Sequence, residues 1–294
     1  MKLVSAVQNG YSFIGMVKDD AVINVSALAA SMEKEMPHTL LNGIQQGEEF
    51  TSAVQDLVNS AKAADYTYPL EEIQLLAPIP RPSKNVFCIG KNYRDHAIEM
   101  GSEADIPEDI MVFSKAPTAV IGHGEGIPSH ANITDQLDYE GELAVVIGKT
   151  GTGISKAEAM DYVFGYTIIN DITARDLQQK HKQFLLGKSL NGTCPMGPWI
   201  VHHSEISNPE NLMIETKVNG EVRQKGNTSD FIFDIRTMIA ELSKGMTLEA
   251  GDIIATGTPA GVGKGMKPPV FLKAGDTIEI TIEGIGTLRN EIVE

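Results

Sequence analysis

The sequence predicts an α+β protein, predominantly β, in which a large mixed roll or sandwich follows a small N-terminal α+β domain. Three observations predict it. Short β-branched runs recur from residue 84 to the end, a helical pattern is confined to residues 25–64, and a proline-punctuated stretch separates the two regions. At 294 residues the chain exceeds the usual single-domain length, but one large β domain with a small appendage accommodates it.

Residues 3–25 read as three short strands, LVSAV, YSFIGMV and AVINV, separated by the turn signals Asn9-Gly10 and Asp19-Asp20. Beyond Val25 the composition shifts to Ala, Leu, Met, Glu and Gln, with apolar residues near helical spacing in LLNGIQQGEEFTSAVQDLV. Residues 1–76 form the expected N-terminal domain. Pro78, Pro80 and Pro82 alternate in residues 77–83, fixing φ and biasing each preceding residue toward an extended path, so the linker belongs there. Residues 84–294 then carry NVFCIG, ELAVVIG, VFGYTIIN, PWIVH, a hairpin turning at Asn219-Gly220, DIIATGT and TIEITIEG.

The net charge of −15 argues against nucleic acid and anionic membranes as partners, because both bind through clustered Lys and Arg. An anionic substrate then needs a locally positive site. Cys88 and Cys194 are the only cysteines, which excludes a disulfide scaffold and a thiolate zinc site and fits a reducing compartment. The apolar N-terminus is interrupted by Gln8-Asn9-Gly10, and no later run reaches membrane-spanning length, so the expected location is the cytoplasm.

In LDYEGELAVVI, Leu137, Tyr139, Leu143, Val145 and Ile147 share one strand face, and Asp138, Glu140 and Glu142 share the other. Taken alone, this pattern equally describes a strand with its acids in water. The acidic face continues into Ala144 and Val146, however, and that points to burial. Buried carboxylates at i and i+2 repel each other unless a cation lies between them. Asp171 ends the apolar run VFGYTIIND, where its residue-level alternative is to cap a following helix. Three oxygen ligands without Cys or a local His cluster favour a hard ion, Mg²⁺ or Mn²⁺ ahead of Ca²⁺.

His96 and Glu99 share a side if KNYRDHAIEM is helical, as a general base and its orienting carboxylate do, though a surface helix gives the same spacing. Lys188 falls in a Gly- and Pro-punctuated loop, where it could be merely solvated. Arg175 and Gln178 are i,i+3 neighbours just after Asp171. GTPAGVGKG, residues 257–265, imitates a phosphate loop with the wrong glycine spacing and no Ser or Thr after Lys264, and reads instead as a mobile turn-rich loop. HExxH, GxSxG and a strand-linked GxGxxG are absent.

Five blocks in order, GKNYRDHAIE, LDYEGELAVVIG, GYTIINDITARDLQ, GKSLNGTCPMGP and LEAGDIIATGTPAGVG, together resemble the fumarylacetoacetate hydrolase family over residues 83–294. The resemblance implies that family's β-roll catalytic domain and a homodimer, with Mg²⁺ or Mn²⁺ held by Glu140, Glu142 and Asp171. By position it implies His96 and Glu99 as a water-activating dyad on a lid, Lys188 as the oxyanion-stabilising lysine, and Arg175, Gln178 and Thr258 as substrate contacts. Two departures from the longer fumarylacetoacetases stand out. Ile89 replaces a further acidic ligand and Lys91 replaces a tyrosine.

Those departures point to the shorter bacterial members and to a small 2-oxo acid substrate. The expected reaction is decarboxylation of oxaloacetate through a metal-bound enolate. The alternatives are C–C hydrolysis of acylpyruvates or fumarylacetoacetate-like diketo acids, and isomerisation or decarboxylation of 2-hydroxyhepta-2,4-diene-1,7-dioate. A non-catalytic metabolite-binding protein is the remaining reading.

Overall fold

The computed structural model describes residues 1–294. The chain opens with the expected meander, Lys2–Gln8, Tyr11–Lys18 and Ala21–Asn24, paired antiparallel through tight turns. Three short helices follow, Val25–Ser31, Leu40–Gln46 and Glu48–Val58. The side chains of Asn24 and Thr39 accept hydrogen bonds from Ala27 N–H and Asn42 N–H, capping the first two. In the third, Phe50, Val54 and Leu57 recur at helical spacing and are all buried.

Strand Lys2–Gln8 pairs antiparallel with Cys194–His202, so the meander continues directly into the large sheet. The order then runs through Val163–Asn170, Gly141–Ile147, Ile253–Ala255, Val86–Gly90 and Met111–Lys115. All these central pairings are antiparallel except Ile253–Ala255 with Val86–Gly90. The two regions expected as domains therefore meet edge to edge in one sheet.

A second sheet, ordered Glu221–Asn227, Met213–Val218, Thr277–Ile282, Gly286–Val293 and Gly126–Pro128, packs over one face of the first. The alternation of strand Gly141–Ile147 shows how both faces are filled. Leu143, Val145 and Ile147 join Ile214, Ile280 and helix Ile235–Ser243 in one core. Ala144 and Val146 join Leu28, Phe50 and Leu57 of the N-terminal helices in the other. Every residue of the strand is buried, as are Asp138 and Glu140 just before it, so none of the three acids faces bulk water.

The acidic stretch expected as one continuous strand is broken. Leu137–Asp138 pairs with Thr173–Ala174 in a separate ribbon, and the long strand begins at Gly141. The break coincides with close sheet packing. A Cβ on Gly141 would collide with Thr216 Oγ1 and crowd Ile280 of the second sheet, so only glycine permits this approach.

Candidate active site

Glu140, Glu142 and Asp171 converge at the end of the central strands, each with a carboxylate oxygen within 4.8 Å of the others, and all three are buried. The backbone forces the convergence. Asp171 N–H donates to Glu140 O at 2.8 Å, and Glu140 N–H donates to Asn170 Oδ1 at 3.1 Å, so the ends of two adjacent strands are tied together. Asp171 caps no helix. Helix Arg175–His181 starts after Ala174 with no side-chain cap.

Three buried cations surround the acids. Lys188 Nζ donates to Glu140 Oε2 at 2.7 Å and to Asp171 Oδ2 at 2.6 Å. Lys188 is neither in an irregular loop nor solvated. It closes the short helix Leu185–Lys188, is buried, and lies 4.8 Å from the Phe113 ring centroid. Arg175 Nη2 is 2.7 Å from Glu140 Oε1, its Nε donates to Asp138 Oδ2 at 2.8 Å, and its Nη1 donates to Gln178 Oε1 at 3.3 Å. Lys115, which the sequence reading missed, is fully buried. Its Nζ donates to Ile172 O at 2.9 Å and lies 2.8 Å from Asp171 Oδ1.

Four buried carboxylates, Asp138, Glu140, Glu142 and Asp171, thus face three buried cations, Lys115, Arg175 and Lys188, which leaves one negative charge unmatched. The deficit falls on Glu142, which makes no ion pair and accepts only the Gly257 N–H at 2.8 Å. Burial, then repulsion from Asp171 and Glu140, pushes its carboxyl well above the usual range. At Glu140 burial acts in the same upward sense, but Lys188 and Arg175 outweigh it and hold the group well below that range. Asp171 is flanked by two ammonium groups, Lys115 at 2.8 Å from Oδ1 and Lys188 at 2.6 Å from Oδ2. An all-oxygen acidic set whose Glu142 carboxylate is buried without a cation partner fits a hard divalent ion.

The loop read as mobile is instead the organiser of this site. Gly257 N–H serves Glu142, Gly261 N–H donates to both oxygens of Glu99 at 3.0 and 3.1 Å, and Gly263 and Lys264 N–H donate to Asp138 at 2.7 and 3.0 Å. It binds anions as its glycine content hints, but they are the protein's own carboxylates. Gly261 has φ +108° and abuts Arg223 O, a position no side chain tolerates.

His96 and Glu99 occupy helix Arg94–Glu99, with His96 Nδ1 3.4 Å from Glu99 Oε2. The helix is docked, not a free surface element. His96 is buried, Glu99 is held by Gly261, and Asn92 anchors the approach by bonding Phe233 and Thr256. His96, Lys188, Glu140, Glu142, Arg175, Gln178 and Thr258 line one cavity of about 230 Å³. Thr258 donates its hydroxyl to Gly141 O at 2.9 Å and accepts from Gln224 Nε2 at 2.7 Å, so its proton is already committed. No sequence signal separated Lys115 from a surface lysine. Asp138 was visible on the acidic face and Arg175 stood out as a candidate substrate contact, but nothing in the sequence paired the two.

The comparisons agree with this geometry. The chain is 58% identical to oxaloacetate tautomerase YisK of Bacillus subtilis over 300 residues, covering 99% of this chain and all of that protein. Its fold superposes on a fumarylacetoacetate hydrolase from Exiguobacterium antarcticum with TM-score 0.86 and 44% identity, covering 100% of this chain and 99% of that one. A maleylpyruvate hydrolase from Sphingobium sp. SYK-6, solved with manganese(II) and pyruvate, superposes with TM-score 0.78 and 30% identity at the same coverage. Residues 85–293 match the family described as fumarylacetoacetate (FAA) hydrolase C-terminal, and with the buried triad and its lysine in place the chain belongs to that family.

Proposed function

We propose that the protein is a divalent-metal-dependent enzyme of small 2-oxo acids that interconverts the enol and keto forms of oxaloacetate. The observation that carries the reading is the meeting of Lys188, His96, Glu140 and Glu142 in a single small cavity, with Asp171 bonded to the same Lys188 ammonium behind its wall. The similarity to a protein named oxaloacetate tautomerase supports the same substrate.

A divalent ion held by Glu140, Glu142 and Asp171 supplies Lewis acidity toward the 2-oxygen. The chain's own residues do the rest. Burial works against the Lys188 charge, but in the metal-free protein Asp171 and Glu140 raise its pKa above the ordinary lysine value, which favours the ammonium form as a donor. That ammonium offsets the negative charge that develops at the 2-oxygen as the enol proton leaves. Glu99 orients the His96 imidazole through Nδ1, and His96 delivers or removes the proton at C3. The net change moves one proton from the enol oxygen to carbon.

Decarboxylation of oxaloacetate is the second reading. It asks only that the charge left at the 2-oxygen be offset as CO₂ departs, and Lys188 is placed to do that whether or not His96 acts. The pyruvate-bound relative supports a site that accommodates such a product. One experiment separates the two. Oxaloacetate is added in its enol form to Mn²⁺- or Mg²⁺-loaded enzyme, enol absorbance is followed in the ultraviolet, and pyruvate is followed with lactate dehydrogenase. Metal-dependent loss of enol that outpaces pyruvate is expected. Pyruvate keeping pace establishes decarboxylation instead, and no metal-dependent acceleration of either overturns both readings.

A further inference from the structure

Four non-histidine cations line the cavity, and three are already spoken for. Arg175 and Lys188 are ion-paired to the buried carboxylates, and Lys91 Nζ is 3.2 Å from Asp105 Oδ1. Lys264 is the exception. It is half-buried and lines the same cavity, yet it belongs to none of the ion pairs. Its backbone is fixed on both sides. Gly263 and Lys264 N–H groups hold Asp138, and Gly265 packs so tightly on Glu99 that a Cβ there would collide with the carboxyl group.

We propose that Lys264 is the specificity-determining residue that receives the second, distal carboxylate of a dicarboxylic 2-oxo acid. The inference rests on the reading that the triad end of the cavity takes the 1-carboxylate and 2-oxygen. A monocarboxylic acid satisfies that end alone. A second carboxylate in a cavity bounded by buried acids needs an unpaired cation, and Lys264 is the one available. Burial and the neighbouring Arg175 both disfavour its charge, so an incoming anion relieves the repulsion and gains a charge-assisted bond. Its backbone is already anchored by Asp138, so the ordering required on binding is confined to the lysine side chain.

The test uses non-reacting probes that share a 2-oxygenated carboxylate head and differ in the distal group, malate and lactate, titrated calorimetrically into the Mn²⁺-loaded full chain. Wild type is expected to bind malate more tightly than lactate. Lys264→Met should weaken malate by about 10-fold or more, the scale of a lost charged hydrogen bond, with lactate changing less than twofold. Lys264→Arg should recover most of the malate affinity. A wild type that binds malate no more tightly than lactate, or a Lys264→Met variant that loses both equally or neither, overturns the assignment. These affinities do not depend on turnover, so a failure of the tautomerase reading and a failure of the Lys264 assignment give different results.

Discussion

Lys188 meets Asp171 at 2.6 Å in a fully buried pair, with the same ammonium 2.7 Å from Glu140. One cation thus ties together two of the three candidate metal ligands and faces the cavity where substrate charge develops. Lys188→Met is expected to lower kcat by about 10²- to 10³-fold, the usual scale for losing one oxyanion donor, with a smaller change in KM. Steady-state kinetics on oxaloacetate enol reads this. In the metal-free protein the same change leaves Glu140 with Arg175 alone and Asp171 with Lys115 alone, so thermal stability should fall and added Mn²⁺ should restore part of it.

Glu142 is the carboxylate without a cation partner, and its raised pKa has a definite sign. In the metal-free protein it holds a proton beyond the ordinary carboxylate range, so its contribution to stability is fully present below the unfolded carboxylate pKa and is lost as the pH rises from there through its folded pKa. A divalent ion competes with that proton. Metal affinity should therefore increase with pH until that pKa is passed, and binding should release protons. Calorimetry in buffers of different ionisation enthalpy measures the release. Metal binding with no proton release below that pKa contradicts the charge accounting.

Lys115 sits on the strand Met111–Lys115 with no exposure, against Asp171 and Ile172. Lys115→Met removes one partner of a buried pair, for which the cost is about 3–5 kcal/mol. Urea unfolding of the metal-free variant reads the loss. A cost under about 1 kcal/mol would mean that Asp171 is held chiefly by Lys188.

His96 reaches the cavity from a helix held by Glu99 on Gly261. His96→Ala should reduce tautomerisation by at least about 10²-fold, as expected for a general acid–base, and should abolish any acylpyruvate hydrolysis found in a substrate panel. Decarboxylation should be less affected, because charge offset by Lys188 does not require the imidazole. Equal loss of all three activities would assign His96 a structural role.

The candidate metal ligands were legible because alternation placed Glu140 and Glu142 on a face that continued into Ala144 and Val146. An acid ending an apolar run marked Asp171. The meander, the N-terminal helices and the Asn219-Gly220 hairpin followed from turn chemistry and periodicity. Lys115 was invisible because its strand ends in lysine before Pro117, a pattern indistinguishable from a solvated edge. Its burial comes from contacts 57 residues away in sequence. The glycine loop misled for a related reason. Glycine spacing speaks to backbone freedom, whereas the rigidity of residues 257–265 comes from the carboxylates of Asp138, Glu99 and Glu142.

The most direct measurement is anomalous diffraction at the manganese edge from crystals soaked with Mn²⁺ and oxalate. The expected result is one strong peak bounded by the carboxylates of Glu140, Glu142 and Asp171, with oxalate between it and Lys188. A peak elsewhere, or none at the triad while oxalate binds, would contradict the account at its centre.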